Sequence, residues 1–266
     1  MAASPERSEL CVFLMAGQSN MSGRGGTFVR NAESGMYQGG VRWDGVLPDE
    51  CKPWPGKIQC YTSAEVWETA AEPLHQGVDT SKACGVGPGL SFARRLVNEQ
   101  ALGSTASIGL VPSAVGNTSI EQWAEGGELF SNAVRRTLAA LSCHQGARLA
   151  GLLWYQGESD ADTEEKATEY LARLTRLFSK FREKLGAPQL PIVQVAVHTT
   201  RQSLPFVEQV REAQLGLCLP GLATVDAREH CAARGEDLPD ELHLSSAAQC
   251  SLGIAMADCF ASRLLR

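Results

Sequence analysis

The chain has 266 residues, of which 44% are hydrophobic, and a formal net charge of -6 at pH 7. This length and composition predict one soluble domain that spans residues 1–266. The negative charge disfavours a nucleic-acid or anionic-membrane partner, and no apolar run approaches the ~18 residues that cross a bilayer.

The N-terminal residues, MAASPERSEL, are polar, and the apolar run behind them leads directly into a serine motif. Cleavage of a signal peptide would remove that run, so we expect no signal peptide and a cytoplasmic protein. The nine cysteines include no CxxC pair, which predicts reduced and mostly buried thiols and no structural zinc site. Sequons at Asn20 and Asn117 fall inside the predicted site, where a glycan would block access.

Short apolar runs predict five buried parallel strands, at residues 11–16, 107–112, 150–155, 191–197 and 222–225. Helical periodicity predicts helices at residues 88–101, 164–185 and 245–265. Strands that alternate with helices predict an α/β fold with a mainly parallel, five-stranded sheet. Residues 24–84 are rich in Gly, Pro and Trp with little periodicity, and we expect a long ordered insertion near the functional site.

Polar motifs follow four of the predicted strands. The first strand is followed by AGQSNMSG, the second by SAVGNTSIEQW, the third by WYQGESD and the fifth by DELHLS. Ligands of parallel sheets bind at the carboxyl ends of the strands. Together these motifs supply a serine, glycine N–H groups, side-chain amides, carboxylates and a histidine, the groups that acyl transfer requires.

Ser19 is the candidate nucleophile, and it needs a base because a serine hydroxyl is a weak nucleophile at neutral pH. His243 is the best placed histidine, and Asp240 three residues earlier could orient its imidazole. Taken alone, DELH more often indicates two surface acids and a helix-capping histidine than a catalytic pair. An α/β-hydrolase elbow does not fit, because GxSxG is absent around Ser19. The run GVGPG lacks the spacing of a dinucleotide-binding loop and is read as a turn at a helix start.

The four motifs, in this order, resemble those of the SGNH hydrolase superfamily. Within it, the chain is similar to the sialate O-acetylesterase-type proteins of carbohydrate esterase family 6, and to their plant members in particular. The resemblance implies a three-layer α/β/α, flavodoxin-like fold and ester hydrolysis without metal or cofactor. It implies Ser19 as nucleophile, His243 as general base and Asp240 as its partner, with the N–H groups of Ser19 and Gly116 in the oxyanion hole.

The third motif departs from the superfamily pattern, because YQGES lacks the asparagine that donates to the oxyanion. We expect Gln156 to take that role, and the resemblance implies Glu158 as a second acid near the histidine. The alternatives are that Gly116 only permits a tight turn and that Gln156 and Glu158 only pin loops.

Three aromatic residues near these motifs, Trp123, Trp154 and Tyr155, are candidates for a sugar-stacking wall or for the core. The function predicted is a serine esterase that removes O-acetyl groups from a carbohydrate, with a small-molecule or oligosaccharide ester as substrate. Hydrolysis of a non-sugar metabolite ester and a non-catalytic sugar- or acyl-binding module are the alternatives. The sequence does not identify the natural substrate or the oligomeric state.

Overall fold

A seven-stranded sheet forms the centre of the protein in the computed structural model, which describes residues 9–30, 37–39, 42–231 and 237–265. The strands in the described residues are β1 (Leu10–Gly17), β2 (Phe28–Arg30), β3 (Tyr37–Gly39), β4 (Ile58–Tyr61), β5 (Trp67–Thr69), β6 (Ser107–Pro112), β7 (Ala147–Tyr155), β8 (Ile192–Ala196) and β9 (Leu222–Asp226). The sheet order is β5-β4-β6-β1-β7-β8-β9, and β2 pairs separately with β3. Within the sheet, only the pairing of β4 with β5 is antiparallel.

The helices of the described residues connect and cover these strands. They are α1 (Ser19–Ser22), α2 (Gly89–Asn98), α3 (Glu128–Ser142), α4 (Glu164–Lys184), α5 (Val207–Gly216), α6 (Ala227–Cys231) and α7 (Ser246–Arg263). None of these helices is long and apolar enough to cross a membrane. Every residue of β1 is buried, as expected for the central strand of a sheet that is covered on both faces.

Two aromatic clusters show how the helical layers pack on the sheet. On one face, Phe13 of β1, Phe92 of α2 and Phe260 of α7 meet edge to face, with centroids 5.0 to 6.2 Å apart. On the other face, Trp154 of β7 packs edge to face against Phe178 of α4 at 6.0 Å. Burying such large rings on both sides of the sheet stabilises the three-layer arrangement.

The predicted α/β class and three-layer architecture are confirmed, but the strand count is wrong. The five predicted strands correspond to β1, β6, β7, β8 and β9, and their ends differ from the prediction by at most three residues. The sheet gains β4 and β5 from the predicted insertion, since β4 pairs with β6 at the sheet edge. Residues 31–36 and 40–41 of the insertion, and residues 1–8 of the polar N-terminal segment, lie outside the described residues.

All nine cysteines are free thiols, and six of them are buried. Cys51 and Cys250 lie side by side in the core, with Sγ atoms 2.9 Å apart. The expectation of mostly buried, reduced thiols therefore agrees with the packing.

Candidate active site

A cleft of about 600 Å³ lies at the carboxyl end of the sheet. The loops that follow β1, β6, β7 and β8 contribute lining residues, as does the loop before α7. Two of the lining residues are Ser19 and His243. The sheet therefore gathers residues that are distant in sequence at the edge where parallel sheets bind ligands.

The turn that presents Ser19 depends on Gly17. Gly17 has φ of +129°, and a Cβ atom on it would lie 2.1 Å from the carbonyl oxygen of Tyr155. The next residue, Gln18, donates its N–H to that same carbonyl at 2.8 Å. The backbone of β1 thus passes too close to β7 for any residue with a side chain, and the chain then turns into α1 with Ser19 as its first residue.

Ser19, His243 and Asp240 form a continuous hydrogen-bonded chain. The Nε2 atom of His243 lies 3.0 Å from Ser19 Oγ, and its Nδ1 atom lies 2.8 Å from Asp240 Oδ2. Burial alone would raise the pKa of Asp240, but the hydrogen bond and charge of His243 outweigh burial and the pKa is lowered. A carboxylate held ionised beside the imidazole stabilises the charge that forms when His243 takes a proton.

Asn20 fixes the position of the histidine loop relative to the nucleophile. Its Nδ2 donates to the carbonyl of Leu242 at 3.1 Å, and its Oδ1 accepts the N–H of Leu244 at 3.0 Å. Asn20 therefore holds the residues on both sides of His243. It also leaves no room for a glycan, because its side chain is fully buried.

The insertion contributes an aromatic cover to the histidine. The ring of Phe28, on β2, stacks on the imidazole of His243 with a centroid distance of 5.3 Å and an interplanar angle of 22°. This contact confirms the expectation that the insertion lies near the site. Stacking restricts rotation of the imidazole about its side-chain bonds and keeps water from one of its faces.

Glu158 lines the cleft, but its hydrogen bond goes to Asn20 and not to the histidine. Its Oε1 accepts from Asn20 Nδ2 at 2.7 Å, and the described residues provide no partner for Oε2. Burial raises the pKa of Glu158 to about 7. Among the described residues Glu158 makes no hydrogen bond to His243, and Asn20 connects it to the loop that carries His243.

A buried acid of the insertion holds the loop that contains Gly116. Asp79 Oδ2 accepts the Gly116 N–H at 3.0 Å and the Ser22 hydroxyl at 2.7 Å, and it pairs with Arg24. Burial would raise the pKa of Asp79, but Arg24 and the hydrogen bonds outweigh it and lower the pKa to about 2. The N–H of Gly116 is therefore directed at Asp79, which corrects the expectation of a donor free for an oxyanion.

Gln156 is turned away from the cleft, which corrects the expectation that it donates to the oxyanion. The side chain is fully buried, and its Nε2 donates to the Thr118 carbonyl and to Asp160. Its Oε1 accepts from the Tyr170 hydroxyl at 3.2 Å. With both amide ends bonded to protein groups, Gln156 joins the loops after β6 and β7 to α4.

Gln18 is the amide that the sequence analysis missed. Its Oε1 accepts the N–H groups of Gly157 and Ser159 at 3.2 and 3.3 Å, and the residue lines the cleft beside Ser19. These two bonds fix the orientation of the amide. No acceptor in the described part of the chain takes the Nε2 hydrogens, so the donor end is available to a ligand.

The three aromatic candidates for a stacking wall are core residues. Trp123, Trp154 and Tyr155 are fully buried, and the two tryptophan rings meet edge to face at 5.3 Å. None of the three lines the cleft. The stacking wall is therefore wrong, and the alternative that these residues belong to the core is confirmed.

Potential metal ligands do not cluster at this site. Across the described ranges, no group of three or more His, Cys, Asp or Glu side chains could hold a metal ion. The acyl-transfer groups named above are all supplied by protein side chains and backbone.

Comparison with known proteins identifies the family of the chain. A family model described as carbohydrate esterase, sialic acid-specific acetylesterase, matches residues 9–262. The chain is 40% identical over 255 residues to the probable carbohydrate esterase At4g34215 of Arabidopsis thaliana, covering 94% of this chain and 90% of that protein.

Solved structures extend the comparison to the fold. The crystal structure of the Arabidopsis protein superposes with a TM-score of 0.83 at 38% identity and covers 97% of this chain and 99% of its own. NanS superposes with a TM-score of 0.69 at 19% identity, with 97% of each chain covered. A carbohydrate acetylesterase from Xanthomonas citri gives 0.58 at 19% identity and covers 96% of this chain and 56% of its own. At these lower identities the likeness concerns the fold alone.

Proposed function

The chain belongs to the carbohydrate esterase family of sialic acid-specific acetylesterases, and we propose that it cleaves O-acetyl esters through an acetyl intermediate on Ser19. Family membership makes the protein a carboxylic ester hydrolase of the carbohydrate acetylesterase class. Family membership therefore favours an enzyme over a non-catalytic binding module. The roles of the individual residues are the part that we propose.

The hydrogen-bonded chain from Ser19 through His243 to Asp240 carries the proposal. His243 Nε2 takes the proton from Ser19 Oγ as this oxygen attacks the acetyl carbonyl carbon. Asp240 keeps the Nδ1–H tautomer in place and stabilises the imidazolium. The imidazolium then gives its proton to the sugar oxygen, which leaves as the free hydroxyl.

The second half of the reaction reverses these roles. A water molecule replaces the sugar, and His243 Nε2 takes one of its protons as the water oxygen attacks the acetyl carbon. The Ser19 ester bond breaks, and the proton returns to Ser19 Oγ. Acetic acid leaves, gives up its remaining proton to solvent as acetate, and the enzyme regains its starting state.

We assign two hydrogen-bond donors to the oxyanion that forms in each half of the reaction. The N–H of Ser19 is the first of α1 and has no acceptor within that helix. The Nε2 of Gln18 is the second donor, held by the bonds of its Oε1 to Gly157 and Ser159. Gly116 contributes only if it shares its N–H with Asp79. A preorganised donor acts without reorganisation when charge develops.

The lining of the cleft favours a hydroxyl-rich substrate. Leu204 and Leu242 are the aliphatic side chains among the described residues that line it, and the remainder are polar or charged except for Gly116. Such a surface binds sugar hydroxyls through hydrogen bonds and offers little area to a long acyl chain. We therefore place an acetylated sugar or oligosaccharide ahead of a non-sugar metabolite ester.

The test is acetate release by the wild-type protein and by Ser19→Ala, with acetylated xylo-oligosaccharides, acetylated sialic acid and small aryl acetates as substrates. We expect a sugar ester to be hydrolysed with the highest kcat/KM and Ser19→Ala to lose about 10³-fold or more in kcat. Ser203→Ala is the matched control, since Ser203 lines the same cleft but is exposed. Retention of more than about a tenth of the activity by Ser19→Ala would reject the serine mechanism.

We also propose a cytoplasmic location, because free cysteines are typical of reducing compartments. A fluorescent fusion imaged in cells of a plant, the source that the sequence resemblance suggests, tests this proposal. Signal in the secretory pathway would reject it.

A further inference from the structure

Arg201 contacts the same carboxylate oxygen that His243 uses. It follows β8 at the carboxyl edge of the sheet, and its Nη2 donates to Asp240 Oδ2 and to the Asp240 carbonyl, each at 3.0 Å. Asp240 Oδ2 also lies 2.8 Å from His243 Nδ1. The reaction proposed above makes no use of this cation, although Arg201 lines the cleft.

We propose that Arg201 is a positioning residue that holds Asp240 against His243, in the orientation in which His243 Nε2 meets the Ser19 hydroxyl. The inference rests on the proposed serine mechanism. It assigns Arg201 a role through Asp240, and no contact with the reacting atoms.

The geometry around Asp240 supports this positioning role. The Asp240 side chain is anchored by its own loop, because Oδ1 accepts the N–H of His243 at 2.7 Å. Arg201 binds the other carboxylate oxygen of Asp240, Oδ2, and also the Asp240 carbonyl. The adjacent Thr200 donates its N–H to the Glu241 carbonyl at 2.9 Å. The segment after β8 thus fixes Asp240 through contacts that are separate from those made by the backbone of His243.

The charge of Arg201 supports the same role. A cation beside the carboxylate favours the ionised form of Asp240, and it contributes to the lowering of that pKa against the effect of burial. Arg201 therefore helps to keep Asp240 as the carboxylate that faces His243 Nδ1.

The other charged groups around His243 leave this role to Arg201. The groups in its loop or lining the same cleft are Asp237, Asp240, Glu158, Arg24, Lys82, Asp162 and Lys166. Arg24 is paired with Asp79, and Lys166 with Asp162. Within the described residues, Arg201 is the one arginine or lysine paired with Asp240.

The experiment compares Arg201→Gln and Arg201→Lys with the wild type, with Lys82→Gln as the matched control. Lys82 is a cation that lines the same cleft and is not paired with Asp240. The first readout is kcat and KM, measured separately, for an aryl acetate. The second is the melting temperature, which reports a merely structural loss.

For Arg201→Gln we expect kcat to fall by about 3- to 10-fold with KM nearly unchanged, because Asp240 then holds the His243 ring less firmly in the reactive orientation. Arg201→Lys keeps a charged donor at this position, so it should recover most of the lost kcat. Lys82→Gln should lower kcat less than Arg201→Gln does.

An unchanged kcat in Arg201→Gln would overturn the proposal, and so would an Arg201→Lys variant that is as slow as Arg201→Gln. An equal fall of kcat in Lys82→Gln would also overturn it, because any cation of the cleft would then have the effect. A fall in melting temperature into the assay range that accounts for the lost kcat would show a structural role instead and would overturn it as well. Failure of the serine mechanism is distinguishable, since it appears as activity of Ser19→Ala.

Discussion

Replacing Gln18 by glutamate is the sharpest test of the proposed oxyanion hole. A glutamate has the same length and keeps an oxygen where Gln18 Oε1 accepts the N–H groups of Gly157 and Ser159. The anchoring bonds are therefore retained. The donor Nε2 becomes a carboxylate oxygen, which repels the developing oxyanion.

The expected loss of kcat follows from the removal of one hydrogen-bond donor to the oxyanion. One oxyanion donor contributes about 10²–10³ to kcat, which corresponds to about 3–4 kcal/mol. Because repulsion is added to the lost hydrogen bond, we expect a loss at the upper end of this range or beyond it. The melting temperature should fall, since a buried carboxylate costs stability although both N–H groups of the turn keep their acceptor, so kcat is measured well below the unfolding transition.

The assay is kcat and KM for an aryl acetate at about pH 8.5, where a buried glutamate is ionised. Gln156→Met is the matched control, because it removes an amide whose donors serve Thr118 and Asp160 beneath the cleft. We expect this control to lower the melting temperature by several degrees and to keep kcat within about tenfold. If Gln18→Glu kept more than about a tenth of kcat while Gln156→Met lost 100-fold or more, the donor would be Gln156 and our reasoning would be refuted.

Three further predictions concern the acids, pH and metals. Asp240→Asn should lower kcat by about 10²–10⁴, because an amide favours the wrong tautomer of His243; an unchanged kcat would remove Asp240 from the mechanism. The pKa of Glu158 is raised by burial to about 7. Its ionisation therefore lowers the free energy of unfolding as pH rises from the pKa of glutamate in the unfolded chain to about 7. Glu158→Gln keeps a carbonyl that can accept from Asn20. Its melting temperature should therefore fall less between about pH 5 and pH 8 than that of the wild type. An equal fall in both proteins would contradict this. Dialysis against a strong chelator should leave kcat unchanged; a loss that zinc or calcium restores would contradict metal-free hydrolysis.

The strands of the centre could be predicted because their signal is local. β1 and β6 are continuous apolar runs that are buried along their whole length. The edge strands β4 and β5 carry no such signal, since β4 has four residues and joins the sheet only by long-range pairing with β6. Short edge strands of this kind depend on tertiary context that a single sequence does not display.

The site residues also divide into those with a local sequence signal and those that depend on tertiary context. The three-residue separation of Asp240 and His243 made their contact predictable, because a tight loop brings the two side chains together. Choosing between Gln18 and Gln156 required the direction of each side chain. Gln156 points towards Tyr170 of α4, and no local pattern in the sequence reveals the position of that helix. Gln18 carries a usable signal in the sequence, its place directly before Ser19.

The identity of the nucleophile is the centre of this account, and labelling with a serine-directed phosphonate tests it most directly. The protein is treated with the reagent, the loss of esterase activity is followed, and the modified peptide is identified by mass spectrometry. We expect a single phosphonyl group on Ser19, formed at the rate at which activity is lost, and no labelling of His243→Ala at that rate. A label on another serine, or full loss of activity without modification of Ser19, would contradict it.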